Sequence, residues 1–102
     1  MNTSNEAQAG AKTDVKLAPT VTLLVTTGCH YCEDARGELA ARADHGDLEL
    51  NVVSIDSEQG RALQATHRPS MFPLVLLDGQ PFSIGRLPRK KLDHALAHLR
   101  VR

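Results

Sequence analysis

The feature that most constrains this chain is a junction. A short β-branched run, Thr20-Val21-Thr22-Leu23-Leu24-Val25-Thr26, passes through Gly28 directly into Cys29-His30-Tyr31-Cys32, and a periodic segment follows at residues 33–44. The run is bounded by Pro19 and Gly28 and reads as a buried strand. In residues 33–44, Ala35, Leu39 and Ala43 repeat every four residues on the face of Cys32, which is helical spacing. Glu33 and Asp34 favour a helix N-terminus and Gly46 supplies a stop. Strand, cysteine pair and helix are therefore expected in immediate succession.

The rest of the chain extends that unit. Residues 48–55 read as a second strand, and Asp56 with Gln59 resembles a capping box that opens a short helix to about Thr66. After His67-Arg68-Pro69-Ser70, residues 74–77 form a strand, Asp78-Gly79 a hairpin turn and residues 81–84 the returning strand. Pro81 places that last strand at an edge, where a missing N–H breaks no ladder bond. Pro88 suits the first position of a helix, and Leu92, Ala95, Leu96 and Leu99 follow at i, i+3, i+4 and i+7. The order is β-α-β-α-β-β-α, an α/β mixed sheet covered by helices whose first two strands are parallel with a right-handed crossover. Residues 1–18 are polar and aperiodic and are expected to form a disordered tail, which leaves 19–102 as the one domain.

Charge and cysteine count bound the function. Twelve basic and 12 acidic residues cancel, so nothing in the balance points to nucleic acid. The halves differ, with 4 basic against 10 acidic residues (−6) in 1–60 and 8 against 2 (+6) in 61–102. No run approaches a membrane span of ~20 apolar residues, and the N-terminus lacks an apolar secretory core. The expectation is a cytoplasmic protein with reduced thiols and no membrane partner, in which a lone C-x-x-C is catalytic or metal-binding.

Three chemistries compete for Cys29 and Cys32. Structural zinc needs four ligands, and no second C-x-x-C exists; His94 and His98, four apart on the last helix, read as solvent-facing. No metal is therefore assigned. A structural disulfide over so short a loop adds little stability and would be reduced in the cytoplasm. Thiol–disulfide exchange remains. Cys29, after the strand and at the helix start, meets unpaired N–H groups and the positive end of the helix dipole, which stabilise a thiolate. Cys32, one turn on, can reach it and is more enclosed. His30 next to Cys29 is either a tuning cation that favours the thiolate or a plain loop histidine. Tyr31 either contacts substrate or covers the sheet edge.

Taken together, G-C-H-Y-C between strand and helix, S-M-F-P opening a later strand, D-G, and G-R-L-P before the last helix resemble the glutaredoxin/thioredoxin superfamily over residues 20–100. More narrowly, the chain is similar to small bacterial glutaredoxin-like proteins and NrdH-type redoxins. The resemblance implies a thioredoxin-like fold, a four-stranded mixed sheet flanked by three helices. It implies Cys29 as the attacking and Cys32 as the resolving cysteine of a redox-active disulfide. Read alone, Pro73 fits a trans proline at a strand start; the resemblance implies a cis-proline facing the active site. It also implies that Phe72 pairs through its backbone with bound peptide or glutathione, and that Gly85 and Arg86 form a turn near the dithiol, so that Tyr31, Phe72, Pro73, Gly85 and Arg86 are the substrate- or glutathione-binding candidates.

Three positions depart from glutathione-using members. A lysine before the C-x-x-C, a T-V-P at the cis-proline and a G-G followed by an acid are replaced by Val25-Thr26-Thr27-Gly28, Met71-Phe72-Pro73 and Gly85-Arg86-Leu87-Pro88. The basic cluster Arg86, Arg89, Lys90 and Lys91 at the last helix start reads either as a solvated face or as a site for an acidic partner. The resulting expectation is a monomeric dithiol–disulfide oxidoreductase and electron carrier in cell redox homeostasis. It would act on disulfide-containing proteins, with no bound cofactor, and be re-reduced by external glutathione or a thioredoxin-reductase-type donor, since the chain has no nucleotide-binding fingerprint. The competing expectation is a non-catalytic thioredoxin-fold module that binds a protein partner, a metal or an iron–sulfur cluster.

Overall fold

The structure, a computed structural model, describes residues 18–100. Seven elements run in the order β1 (Thr20–Val25), α1 (His30–Asp44), β2 (Glu49–Ser54), α2 (Glu58–His67), β3 (Leu74–Leu77), β4 (Gln80–Ile84) and α3 (Arg89–Arg100). The four strands make one sheet in the order β2-β1-β3-β4, parallel between β1 and β2 and antiparallel elsewhere. This is the thioredoxin-like arrangement, a mixed sheet with three helices. The expected tail, residues 1–18, lies outside the described residues except for Ala18.

Period-two alternation explains how one sheet serves two cores. Val21 and Leu23 of β1 and Val75 of β3 point to the face where Ala35 and Leu39 of α1 and Leu92 and Leu96 of α3 pack. Leu24, Leu74 and Leu76 point to the other face, against Val53, Leu63 and Phe72. The central strands are therefore buried on both sides, which is why β1 and β3 read as short continuous apolar runs. Gly60 of α2 lies against the end of β2. A Cβ there would stand 2.8 Å from the Ser54 carbonyl carbon and 2.9 Å from Ile55 Cα, so only glycine lets the helix approach this closely.

Several boundaries differ from the sequence expectation, each for a local reason. Helix α1 begins at His30 rather than residue 33, because Cys29 itself is the extended N-cap and its sulfur accepts the Cys32 N–H at 3.0 Å. Helix α2 is capped by Ser57, not Asp56. The Ser57 hydroxyl accepts the Gly60 N–H at 2.9 Å, while Asp56 sits in the preceding turn with its own N–H on Ser54 Oγ. Pro88 stands just before α3 and its carbonyl accepts the Leu92 N–H. The Asp78-Gly79 turn has positive φ at both residues, the pattern that suits a twisted two-residue hairpin. Strand β4 lies at the sheet edge, and Pro81 falls beside an irregularity in its register with β3.

Candidate active site at the cysteine pair

Register places three loops at one end of the sheet. Leu24, near the end of β1, pairs with Leu74 at the start of β3, and Leu74 in turn pairs with Ile84 at the end of β4. The loop leaving β1, the segment entering β3 and the turn leaving β4 therefore emerge together. They carry Cys29, Phe72-Pro73 and Gly85-Arg86 respectively.

The first loop holds the reactive pair. Cys29 and Cys32 form a disulfide with Cα atoms 5.1 Å apart. Their environments differ. Cys29 is half-buried at the helix N-cap, while Cys32 is 2% exposed within the first turn of α1. Cys29 borders a cavity of about 380 Å³ that it shares with Gly28, His30 and Glu33. Cys32 borders a separate one of about 200 Å³ lined by Thr26, Thr27, Glu33, Arg36 and Ser54 among others. One sulfur is thus reachable from solvent at the positive end of a 15-residue helix, and the other stands behind it.

The second and third loops are tied to each other. The Phe72–Pro73 peptide bond is cis, Pro73 is buried, and its carbonyl accepts the Gly85 N–H at 3.0 Å. Gly85 has φ +75, and a Cβ there would lie 3.1 Å from Met71 Cε, so the turn and Met71 are in contact. Phe72 is half-buried against the smaller core, leaving Met71, 48% exposed, as the apolar surface of this segment. Met71 was not among the sequence candidates. Its signal there was only its place two residues before Pro73.

A cavity of about 430 Å³ joins the first loop to the third. It is lined by His30, Tyr31, Asp34, Arg86 and Arg89. Tyr31 is 45% exposed on its wall. Of the sequence candidates, His30, Tyr31 and Arg86 therefore meet in one cavity, and Gly85 and Pro73 adjoin it through the turn. Phe72 and Pro73 line none of the three cavities that surround the pair.

Ion pairs that the sequence does not announce organise this cavity. Arg89 donates to Asp34 at 3.0 Å and to Glu38 at 3.2 Å, both on α1. Arg42 bonds Glu38 at 2.9 Å and also Asp93 of α3, so the two helices are bridged twice. Lys91 donates to the Phe82 carbonyl at 2.8 Å and lies over that ring at 4.7 Å. Two members of the basic cluster thus have partners within the chain. The Asp34 carboxyl is held below its ordinary range first by the Arg89 hydrogen bond, and also by the Arg86 charge. Glu38 is lowered chiefly by Arg89, and then by Arg42, against an opposing desolvation. A lowered folded-state pKa stabilises the fold above the unfolded-state value of about 4, and that stabilisation is lost as pH falls through the lower folded-state value. The variant Arg89→Gln will accordingly unfold in acid at a higher pH than wild type, read by far-ultraviolet circular dichroism. Coincident acid transitions would show that these ion pairs do not couple to folding.

The comparisons follow this geometry. Residues 20–97 match the family described as Glutaredoxin-like domain (DUF836). No curated protein matches the chain. Among solved structures, an uncharacterized thioredoxin-like protein from Clostridium perfringens, determined in solution, is similar with a TM-score of 0.65 and 19% identity, over 87% of this chain and 76% of that one. Glutaredoxin 1 from Francisella tularensis, crystallised with cacodylate, aligns with a TM-score of 0.47 and 14% identity, over 82% of this chain and 99% of its own. Among the described residues, no helix is long and apolar enough to cross a membrane.

Proposed function

The chain belongs to the glutaredoxin-like domain family, and from that premise we propose that it is a thiol–disulfide oxidoreductase that reduces protein disulfides through Cys29 and Cys32. The observation that carries the reading is the asymmetry of the pair: one sulfur reachable at a helix N-terminus, its partner 2% exposed one turn later. Thiol–disulfide exchange needs that division of labour. In the reduced protein the Cys29 thiolate attacks one sulfur of a substrate disulfide, and the other substrate sulfur leaves as a thiolate. The Cys32 thiolate then attacks Cys29 Sγ, closes the intramolecular disulfide and releases the second substrate thiol. Two electrons have passed from the dithiol to the substrate.

The Cys32 N–H, which points at Cys29 Sγ at 3.0 Å, supports the first step, because a hydrogen bond to sulfur favours its charged form. Reduction of the closed disulfide falls to an external donor, glutathione or a flavin reductase of the thioredoxin-reductase type, in a reducing compartment such as the cytoplasm. The protein then acts as a monomeric electron carrier in redox homeostasis, with no resident cofactor.

The test is a trap. Incubated with a disulfide-bonded protein, Cys32→Ser should accumulate a covalent 1:1 adduct through Cys29, visible by intact mass and lost on adding dithiothreitol. If Cys29→Ser traps substrate equally well, the two roles are reversed. If neither variant forms an adduct and the wild type reduces nothing, the pair is not a reductase site.

A further inference from the structure

We infer that Arg86 and Arg89 form a carboxylate-reading wall beside the dithiol, so that the preferred disulfides carry an acidic group one or two residues from the reactive cysteine. The inference rests on the oxidoreductase reading and adds a substrate class to it. Three observations carry it. The cavity lined by His30, Tyr31, Asp34, Arg86 and Arg89 begins at the residue next to Cys29, because His30 lines both this cavity and the one at Cys29. An extended peptide advances about 3.3 Å per residue, so a side chain one or two positions from a cysteine bonded to Cys29 is long enough to reach it when the peptide runs towards His30. The cavity's lining carries two arginines against one acidic residue.

The two arginines are not equivalent. Arg89 is held by Glu38, which is not among the cavity's lining, and by Asp34, which is. Arg86 is exposed and makes no hydrogen bond or ion pair with any described residue, although its charge is close enough to lower the Asp34 carboxyl. A planar guanidinium with open donors suits a carboxylate, and a fixed second one beside it gives that carboxylate a defined seat. Asp34 is the competitor: it occupies Arg89 when no acidic group is present.

The experiment uses the full chain, turned over with dithiothreitol, and a set of disulfide-linked peptides with amidated C-termini. The residue after cysteine is Glu, Gln or Lys. A fourth peptide pairs Gln with a free C-terminal carboxylate, which separates an acidic side chain from an α-carboxylate as the source. The expected order of kcat/KM is Glu, Gln, Lys. The Glu-to-Lys ratio should be roughly five- to tenfold, because the swap replaces an exposed attraction by a repulsion, and it should shrink in high salt. Arg86→Gln should bring that ratio towards one. Since Arg86 makes no hydrogen bond or ion pair with any described residue, the change removes its charge and breaks no such contact. Asp34→Asn should raise the ratio by releasing Arg89. Equal rates for Glu, Gln and Lys in the wild type would overturn the inference, as would an unchanged ratio in Arg86→Gln or a ratio that stays or falls in Asp34→Asn. Failure to reduce any of the four peptides would instead defeat the oxidoreductase reading itself.

Discussion

Replacing Cys29 with serine will reduce disulfide turnover to background, a loss of about three orders of magnitude or more, and will do so without unfolding the protein. The chemical half of this follows from the mechanism: a serine hydroxyl is hardly ionised near neutral pH and cannot form the mixed disulfide. The structural half follows from where the residue sits. Cys29 is the N-cap of α1, with its sulfur accepting the Cys32 N–H. Serine is among the preferred N-cap residues, so its oxygen takes over that acceptor role. The disulfide lost with Cys29 closes a very short loop and contributes little. The midpoint of Cys29→Ser should therefore match or slightly exceed that of reduced wild type in a thermal melt. Residual reductase activity above a hundredth of wild type would show that Cys32 can act as nucleophile, and a large drop in midpoint would show that sulfur is needed for the cap.

The same residue shows which parts of this fold were legible in the sequence. The β1–α1 junction could be read because each half carries its own periodicity, a short β-branched run and then Ala35, Leu39 and Ala43 at helical spacing. The start of α1 is marked only by position: the periodicity covers residues 33–44, and Cys29, expected at the helix start from its place after the strand, is a thiol N-cap outside the Ser, Thr, Asp and Asn signature. The cap of α2 was misplaced by one residue for a related reason. Asp56 and Ser57 both belong to that signature, and only the backbone decides that the Ser57 oxygen reaches the Gly60 N–H. The cis bond at Pro73 came from family resemblance alone, because local chemistry favoured a trans proline.

Charge was the hardest to read. The acidic first part of the chain and the basic last part do meet through Asp34 and Glu38 on Arg89, 55 and 51 residues apart, while Arg42 on Asp93, 51 apart, joins the same parts with the opposite polarity. No local pattern predicts which members of Arg86, Arg89, Lys90 and Lys91 find partners inside the molecule. The cavity beside the dithiol is defined by that outcome, with Arg89 tethered and Arg86 open.

What fixes the cysteine pair in place is the apolar face of α1, and Leu39→Ala measures it. Leu39 is fully buried in the larger core with Leu23, Val75, Leu92 and Leu96, two turns beyond Cys32 on the same helix. Truncating a buried leucine costs about 2–5 kcal/mol, the range reflecting how far the surroundings collapse into the cavity. Alanine's higher helix propensity returns only a few tenths of that. Domains of this size are stable by about 5–15 kcal/mol, so the variant should fold but melt roughly 10–30 °C lower. Leu39→Met, close in volume and unbranched, should cost under about 1.5 kcal/mol and separates loss of volume from loss of shape. The consequence for chemistry is graded. Below its melting range Leu39→Ala should retain the exposed Cys29 and still form mixed disulfides, while the buried Cys32, carried on the loosened helix, becomes easier to alkylate. A Leu39→Ala protein as stable as wild type, or one in which Cys32 stays as protected, would mean that α1 is anchored elsewhere. The Arg42 and Arg89 bridges to α3 and to the acidic face of α1 would then be the first place to look.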